Sequence, residues 1–301
     1  LSSYTEDVDG VEMTGAAIVE QVAQDFSVGP RVLLALIQAH SGWVTRPDPD
    51  VGTPLAQPVA SLRDALLLTA DQLNAGYYGH KLDELRTVAL ADGAVLELPD
   101  VNSGTFAVLA TTWRSDTTAS WGGMVASSRF HNAWVELFGD PYRSVGSAVV
   151  PEDLRYVPLE LPIDEGQVWY FTGGPHAPWG AGAARAAIDL SPPPASATGC
   201  YLTGARVLAA AAGKVVRSEA SGVVVDPDLD LDGYAGTGWV HVYGHVAASG
   251  RVPVGTVLAA GDPIGGPSCE GGLPSQTRVS FARRYNGEWI PVDHPRAPLL
   301  L

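Results

Sequence analysis

The residues best suited to chemistry crowd into the second half of the chain. Between Gly265 and Trp289 the sequence reads GGPSCEGGLPSQTRVSFARRYNGEW, and its centre, Thr277-Arg278-Val279-Ser280-Phe281, alternates as a β-strand does. Arg278 and Ser280 therefore share one face of that strand, and an Asn286-Gly287 hairpin turn follows. A guanidinium is permanently charged and has no lone pair, so Arg278 can neither ligate a metal nor take a proton. The neutral hydroxyl of Ser280 binds zinc far less well than an imidazole does. His241 and His245 are spaced to share a strand face, but roughly 13 Å along that strand keeps them from one metal ion. Asp226, Asp228, Asp230 and Asp232, followed by Gly233, begin like a calcium-binding loop, yet the position that needs a bidentate Glu is Trp239. Two readings stay open here: weak calcium at Asp228, Asp230 and Asp232, or a solvated acidic hairpin turn, which is favoured. Cys200 and Cys269 are the two cysteines, either reduced and buried or bonded to each other.

Such groups need a scaffold, and 301 residues suffice for two domains with separate cores. Hydrophobic residues make up 46% of the chain, too many for disorder. No apolar run approaches the length of a membrane-spanning helix. A net charge of -15 disfavours nucleic acid and anionic membrane surfaces as partners. The start, Leu1-Ser2-Ser3-Tyr4, lacks the pattern of a signal peptide, which fits a chain that begins after a cleaved export signal.

The pattern predicts an α+β protein of several parts: a helical domain over 1–150, a connector over 151–166 and an antiparallel β-rich domain over 167–301. Residues 1–12 read as an irregular arm. Helices are expected from Thr14, an N-cap, to the Gly29-Pro30 break; from Pro30 to Ser41; from Ser61 to Asn74; over Ser103–Arg114; and over Met124–Phe138. Beyond the proline-rich connector, candidate strands are Val168–Thr172, Ala186–Leu190, Arg206–Ala210, Lys214–Arg217, Gly222–Val225, Trp239–Tyr243, Val279–Arg283 and Glu288–Ile290.

The segment Pro30 to Trp43, PRVLLALIQAHSGW, resembles the helix of lysozyme-like lytic transglycosylases, in which an apolar run ends in Glu-Ser-Gly. The Glu there is the general acid, and glycoside cleavage needs such a carboxylic acid. Here that position is His40, so the favoured reading is a helical packing domain. An enzyme would have to recruit Glu20 or Asp25 instead.

Over Trp169 to Trp289 the chain resembles the secreted beta-lytic and lysostaphin-type (LasA-like) zinc endopeptidases, which cleave bacterial wall peptides. The matching points are Gly173-Gly174-Pro175-His176, Asp189 within Ala186-Ala187-Ile188-Asp189-Leu190, Trp239 to His245, the Cys269-Glu270-Gly271-Gly272 loop and Tyr285 to Trp289. The resemblance implies zinc ligands at His176 and Asp189, a catalytic His at His245, and a His-x-His strand at the positions held here by Arg278 and Ser280. It also implies an exported protein and hence a Cys200–Cys269 disulfide. With the base and third ligand replaced, no cofactor is expected. Arg278 is expected to pair with Asp189 through the two arms of its planar fork, replacing the metal's charge.

Three functions follow. The first is a non-catalytic, exported relative of a wall peptidase that binds wall glycan or peptide, or self-assembles, with Trp43, Trp169 and Trp179 as candidate stacking surfaces. The second is a working zinc peptidase with an altered ligand set. The third is a glycan-cleaving enzyme using the helical domain.

Overall fold

The computed structural model describes residues 1, 3–46, 55, 59, 61–98, 100–111, 117–143, 149–155, 158–193, 199–220, 222–227, 234–271 and 276–299. The chain divides into two compact units, Leu1–Val145 with Trp179–Ala183, and Gly146–Pro178 with Ala184–Leu301.

The first unit opens with a hairpin, β1 (Thr5–Val8) and β2 (Val11–Thr14), where the sequence suggested an irregular arm. Asp9 and Gly10 make its tight turn, both at positive φ. Then come α1 (Gly15–Phe26), α2 (Pro30–Ser41) and α3 (Leu62–Lys81). Thr14 caps α1, its hydroxyl accepting from the Ala17 amide at 3.2 Å. Pro30 sits in the first turn of α2, where its missing N–H costs nothing, and Gly42 ends that helix in the left-handed conformation. Ile18, Val22, Leu33, Leu36, Ile37 and Leu66 build the core from the apolar faces of these helices. Replacing Thr14 by Ala is expected to cost about 1 kcal/mol, read as a lower urea midpoint.

α3 runs well past Asn74 and Gly76, where the sequence suggested its end. The Asn74 side chain donates to the Phe26 carbonyl at 2.7 Å, and tertiary bonding keeps it helical. Gly79 lets Leu85 pack closely on the helix, since a Cβ there would lie 2.6 Å from Leu85 Cδ1. A second hairpin, β3 (Thr87–Ala89) and β4 (Val95–Glu97), packs with α4 (Ser103–Thr111) around Val88, Leu90 and Phe106. The single helix expected over Met124–Phe138 is two, α5 (Thr118–Ala126) and α6 (Arg129–Phe138), because Ser128 takes φ of 52°. A short 3-10 turn spans Pro141–Arg143.

The second unit is an antiparallel sheet of eight strands. Its elements in chain order are β5 (Tyr170–His176), β6 (Ala187–Ser191), β7 (Val207–Leu208), β8 (Gly213–Glu219), β9 (Gly222–Asp226), β10 (Trp239–Gly244), β11 (Val257–Leu258), β12 (Pro263–Gly265), β13 (Val279–Tyr285) and β14 (Glu288–Trp289). The spatial order is β11-β8-β9-β10-β13-β6-β5, with β14 also on β13 and β7 paired separately with β12. Each of the eight strands expected from sequence has its counterpart. One face carries the core of Ile188, Val223, Val225, Tyr243 and Phe281. By the pleat, Asp189 and Ser280 lie on the opposite face, directly across from each other in register.

Candidate functional site

Asp189 sits in the middle of β6, between Ser280 of β13 and Gly173 of β5. Its side chain is 6% exposed. Gly173 makes that position possible, because a Cβ there would come within 2.8 Å of Asp189 Oδ2. Gly174, at φ of 116°, lets the backbone pass 2.7 Å from the Ala187 carbonyl oxygen, measured to where a Cβ would stand. These two glycines shift the register of β5 and bring His176 onto the carboxylate.

Three donors converge on Asp189. The Ser280 hydroxyl donates to Oδ1 in a very short hydrogen bond. His176 Nε2 lies 3.1 Å from the same oxygen, an ion-pair distance at which it completes no aligned hydrogen bond among the described residues. Arg278 Nε lies 3.4 Å from Oδ2, an ion-pair distance at which Nε completes no aligned hydrogen bond among the described residues. Arg278 thus reaches Asp189 with one nitrogen, and the two-armed fork expected from sequence is not the contact made. Oδ1 is already taken by Ser280 and His176.

The His176 Nδ1 stands 2.7 Å from the Ala177 carbonyl, so Nδ1 carries a proton. A lone pair on Nε2 facing a carboxylate would be repelled, and protonation removes that conflict. The contact with Asp189 accordingly raises the His176 pKa, against burial and the nearby charge of Arg278. Burial pushes Asp189 up, but His176, Ser280 and Arg278 together outweigh it and hold the carboxyl below its ordinary value.

His245 completes the neighbourhood. β10 ends at Gly244, and His245 takes φ of 60°, so it leaves the strand face that its spacing from His241 suggested. Its Nδ1 donates to the Glu270 carbonyl at 2.8 Å. Burial lowers its pKa, opposed by the Glu270 hydrogen bond and Asp189 and aided by the charges of Arg278 and His176. Ser268 binds the His245 carbonyl and exchanges both backbone bonds with Arg278, at 3.2 and 3.1 Å. The Cys200–Cys269 disulfide pins the same loop, while Thr277 bonds Tyr201 through its hydroxyl. Glu270 also accepts from the Ala248 amide through its carboxylate. Sequence reasoning assigned no role to Glu270 or Gly173; the signal for each is a through-space neighbour.

The donor set does not fit a catalytic zinc. Such an ion needs three protein ligands and an open position. His176 and Asp189 provide two. Ser280 spends its proton on Asp189, Arg278 has no lone pair, and Cys269 is bonded to Cys200. Among the described residues, no group of three His, Cys, Asp or Glu is placed to hold a metal. Asp228, Asp230 and Asp232, the residues of the calcium reading, lie outside the described residues.

His40 lies in the last turn of α2 in the helical unit, half-buried. Glu20 accepts from Gln24 on α1. A carboxylate brought to that helix is Glu136 of α6, which accepts from Gln38 at 2.9 Å and which the sequence did not single out. Trp43 is 1% exposed and packs edge-on against Tyr4, and Trp179 packs against the helical core. Trp43 is therefore a core residue, not a stacking surface.

His241 points to the core face, away from Asp189. It is 1% exposed, packs edge-on against Phe281, and its Nδ1 has no hydrogen-bond partner among the described residues. The charged group facing it is Arg283, its partner across β10 and β13. Burial, then Arg283, lower its pKa to about 3. Its contribution to stability is full above the unfolded value of 6.5 and is given up as pH falls toward about 3. About 2 kcal/mol should be lost between pH 7 and about pH 5. Urea unfolding at the two pH values should show that slope in the wild type and a flatter one in His241→Phe; equal slopes would refute the assignment.

Residues 1–150 match the family described as LasA, N-terminal domain. Among solved structures, the M23 metalloprotease pseudoalterin from the deep sea is 22% identical and aligns over 46% of this chain and 76% of its own, with a TM-score of 0.36. The catalytic domain of the prophage-encoded M23 protein EnpA from Enterococcus faecalis is 20% identical, over 46% of this chain and 98% of that one, with a TM-score of 0.32. A zinc-containing peptidase from Vibrio cholerae is 18% identical over 46% of this chain and 39% of its own, with a TM-score of 0.31. No curated protein matches the chain at a significant level.

Proposed function

We propose, from the match of residues 1–150 to the LasA N-terminal domain family and the resemblance of Trp169 to Trp289 to lysostaphin-type zinc endopeptidases, that the chain is an exported protein that binds bacterial wall peptide or glycan without cutting it. The observation that carries this reading is the filling of Asp189: Ser280 and Arg278 stand where the family pattern calls for metal-binding and proton-taking groups. A cleft shaped for wall polymers can outlast its catalytic groups, because shape and hydrogen bonding, not the metal, set most of its contact. In this reading the helical domain spans 1–150, the connector 151–166 and the β domain 167–301. The disulfide suits an oxidising compartment. No described helix is long and apolar enough to cross a membrane.

A second reading, an active zinc peptidase with an altered ligand set, is favoured by His176, Asp189 and His245 sharing one neighbourhood. Purified protein incubated with isolated cell walls and a glycine-rich peptide, with and without zinc, separates the two. Co-sedimentation with walls and intact peptide are expected, with no stoichiometric zinc by elemental analysis. Zinc-dependent cleavage by the wild type would overturn the proposal. The double variant R278H/S280H should bind zinc that the wild type does not.

A further inference from the structure

The guanidinium of Arg278 is only partly committed. Its nearest approach to Asp189 is through Nε, and its two terminal nitrogens make no hydrogen bond to a described residue. The side chain is 20% exposed, so those nitrogens are open to a ligand while the stem is held. The backbone on which they stand is fixed. Arg278 exchanges both main-chain bonds with Ser268, and the Cys200–Cys269 bond anchors the neighbouring loop. A preorganised donor loses little freedom when it binds.

The charge balance on Asp189 does not require those nitrogens. Oδ1 is met by Ser280 and His176, and Oδ2 by the Nε of Arg278. Four N–H donors on a permanent cation are thus left for an acceptor from outside. The partner that matches a planar fork is a planar anion accepting two parallel bonds. The net charge of -15 repels polyanions and dianions at long range, so the least disfavoured ligand carries a single negative charge on an otherwise neutral body.

We infer that Arg278 is a receptor for the terminal carboxylate of a short, otherwise uncharged peptide, so that the site recognises peptide ends where a zinc peptidase would cut peptide interiors. This rests on the reading of the site as a wall-peptide binder. Arg278 is the residue that sets specificity, and His176 and Ser280 keep Asp189 in place without it.

The test is calorimetric titration of the whole protein with N-acetyl-tetraglycine as the free acid, with its C-terminal amide, and with inorganic phosphate. The acid should bind at least about tenfold more tightly than the amide, as one charge-assisted pair implies. Arg278→Gln should bring the acid down to the amide's level, and Arg278→Lys should keep part of the preference. Equal binding of acid and amide by the wild type, binding of neither, or tighter binding of phosphate would overturn the inference. So would an unchanged preference in a folded Arg278→Gln protein. If that variant fails to fold, the acid–amide comparison on the wild type and the Arg278→Lys result still decide. Equal binding of both peptides alongside co-sedimentation with walls would remove this inference and leave the wall-binding function standing, whereas zinc-dependent cleavage would remove the function itself.

Discussion

Asp189→Ala is expected to destabilise the β unit by about 3 kcal/mol, the cost of breaking a buried charge cluster at its one anionic member. The carboxylate is 6% exposed and takes contacts from Ser280, His176 and Arg278. Without it, the Ser280 hydroxyl loses its acceptor and His176 and Arg278 lose the carboxylate they share. His176 can shed its proton and Arg278 can swing toward solvent on its long stem, which places the cost at the lower end of the usual range. Ser280→Ala and Arg278→Ala should each cost less, since Asp189 keeps two partners in either variant. Serine should matter more than arginine, because Ser280 makes an aligned bond and Arg278 a misaligned contact. Chemical unfolding of the three variants checks the order; an Asp189→Ala protein as stable as the wild type would show that the cluster adds nothing.

The second large effect belongs to the disulfide. Cys200 and Cys269 are separated by 69 residues, and opening a loop of that length should cost about 4 kcal/mol through the freedom returned to the unfolded chain. The bond also has a local consequence. It holds the loop whose Glu270 carbonyl orients His245 and whose Ser268 ladders with Arg278. Reduction, or Cys269→Ser, should lower the unfolding midpoint of the β unit while leaving that of the helical unit in place. Thiol titration of the denatured, unreduced protein should find no free thiol; two would contradict the bond.

Much of the sheet was legible because its strands carry a period of two. The alternation through Thr277–Phe281 placed Arg278 and Ser280 on one face, and the register sets Ser280 against Asp189 as that requires. What escaped was short or tertiary. β11 and β12 are too brief to show any period. The end of α3 was misread because Asn74 and Gly76 are poor helix residues in isolation, and only the bond to Phe26 explains why the helix passes them. The site was legible as a set of residues but not as a set of contacts. The pattern of types gave His176, Asp189, Ser280 and Arg278. That Ser280, not Arg278, is the better aligned partner of Asp189 depends on fractions of an ångström. His245 was misplaced for a related reason: a spacing of four implies one face only while the strand continues, and the positive φ at His245 ends it.

The irregular register of β5 also bears on the solution behaviour of this protein. β5 lies at the edge of the sheet and carries Phe171, 62% exposed, a side chain that would invite another chain to add on. Yet its pairing with β6 slips twice, before Gly173 and before His176, and Pro175 offers no N–H. A regular ladder needs consecutive donors and acceptors along a flat run, and β5 provides no such run beyond Phe171. The opposite edge, β11, is two residues long. The same backbone departures that seat His176 on Asp189 therefore also guard this edge of the sheet against strand addition.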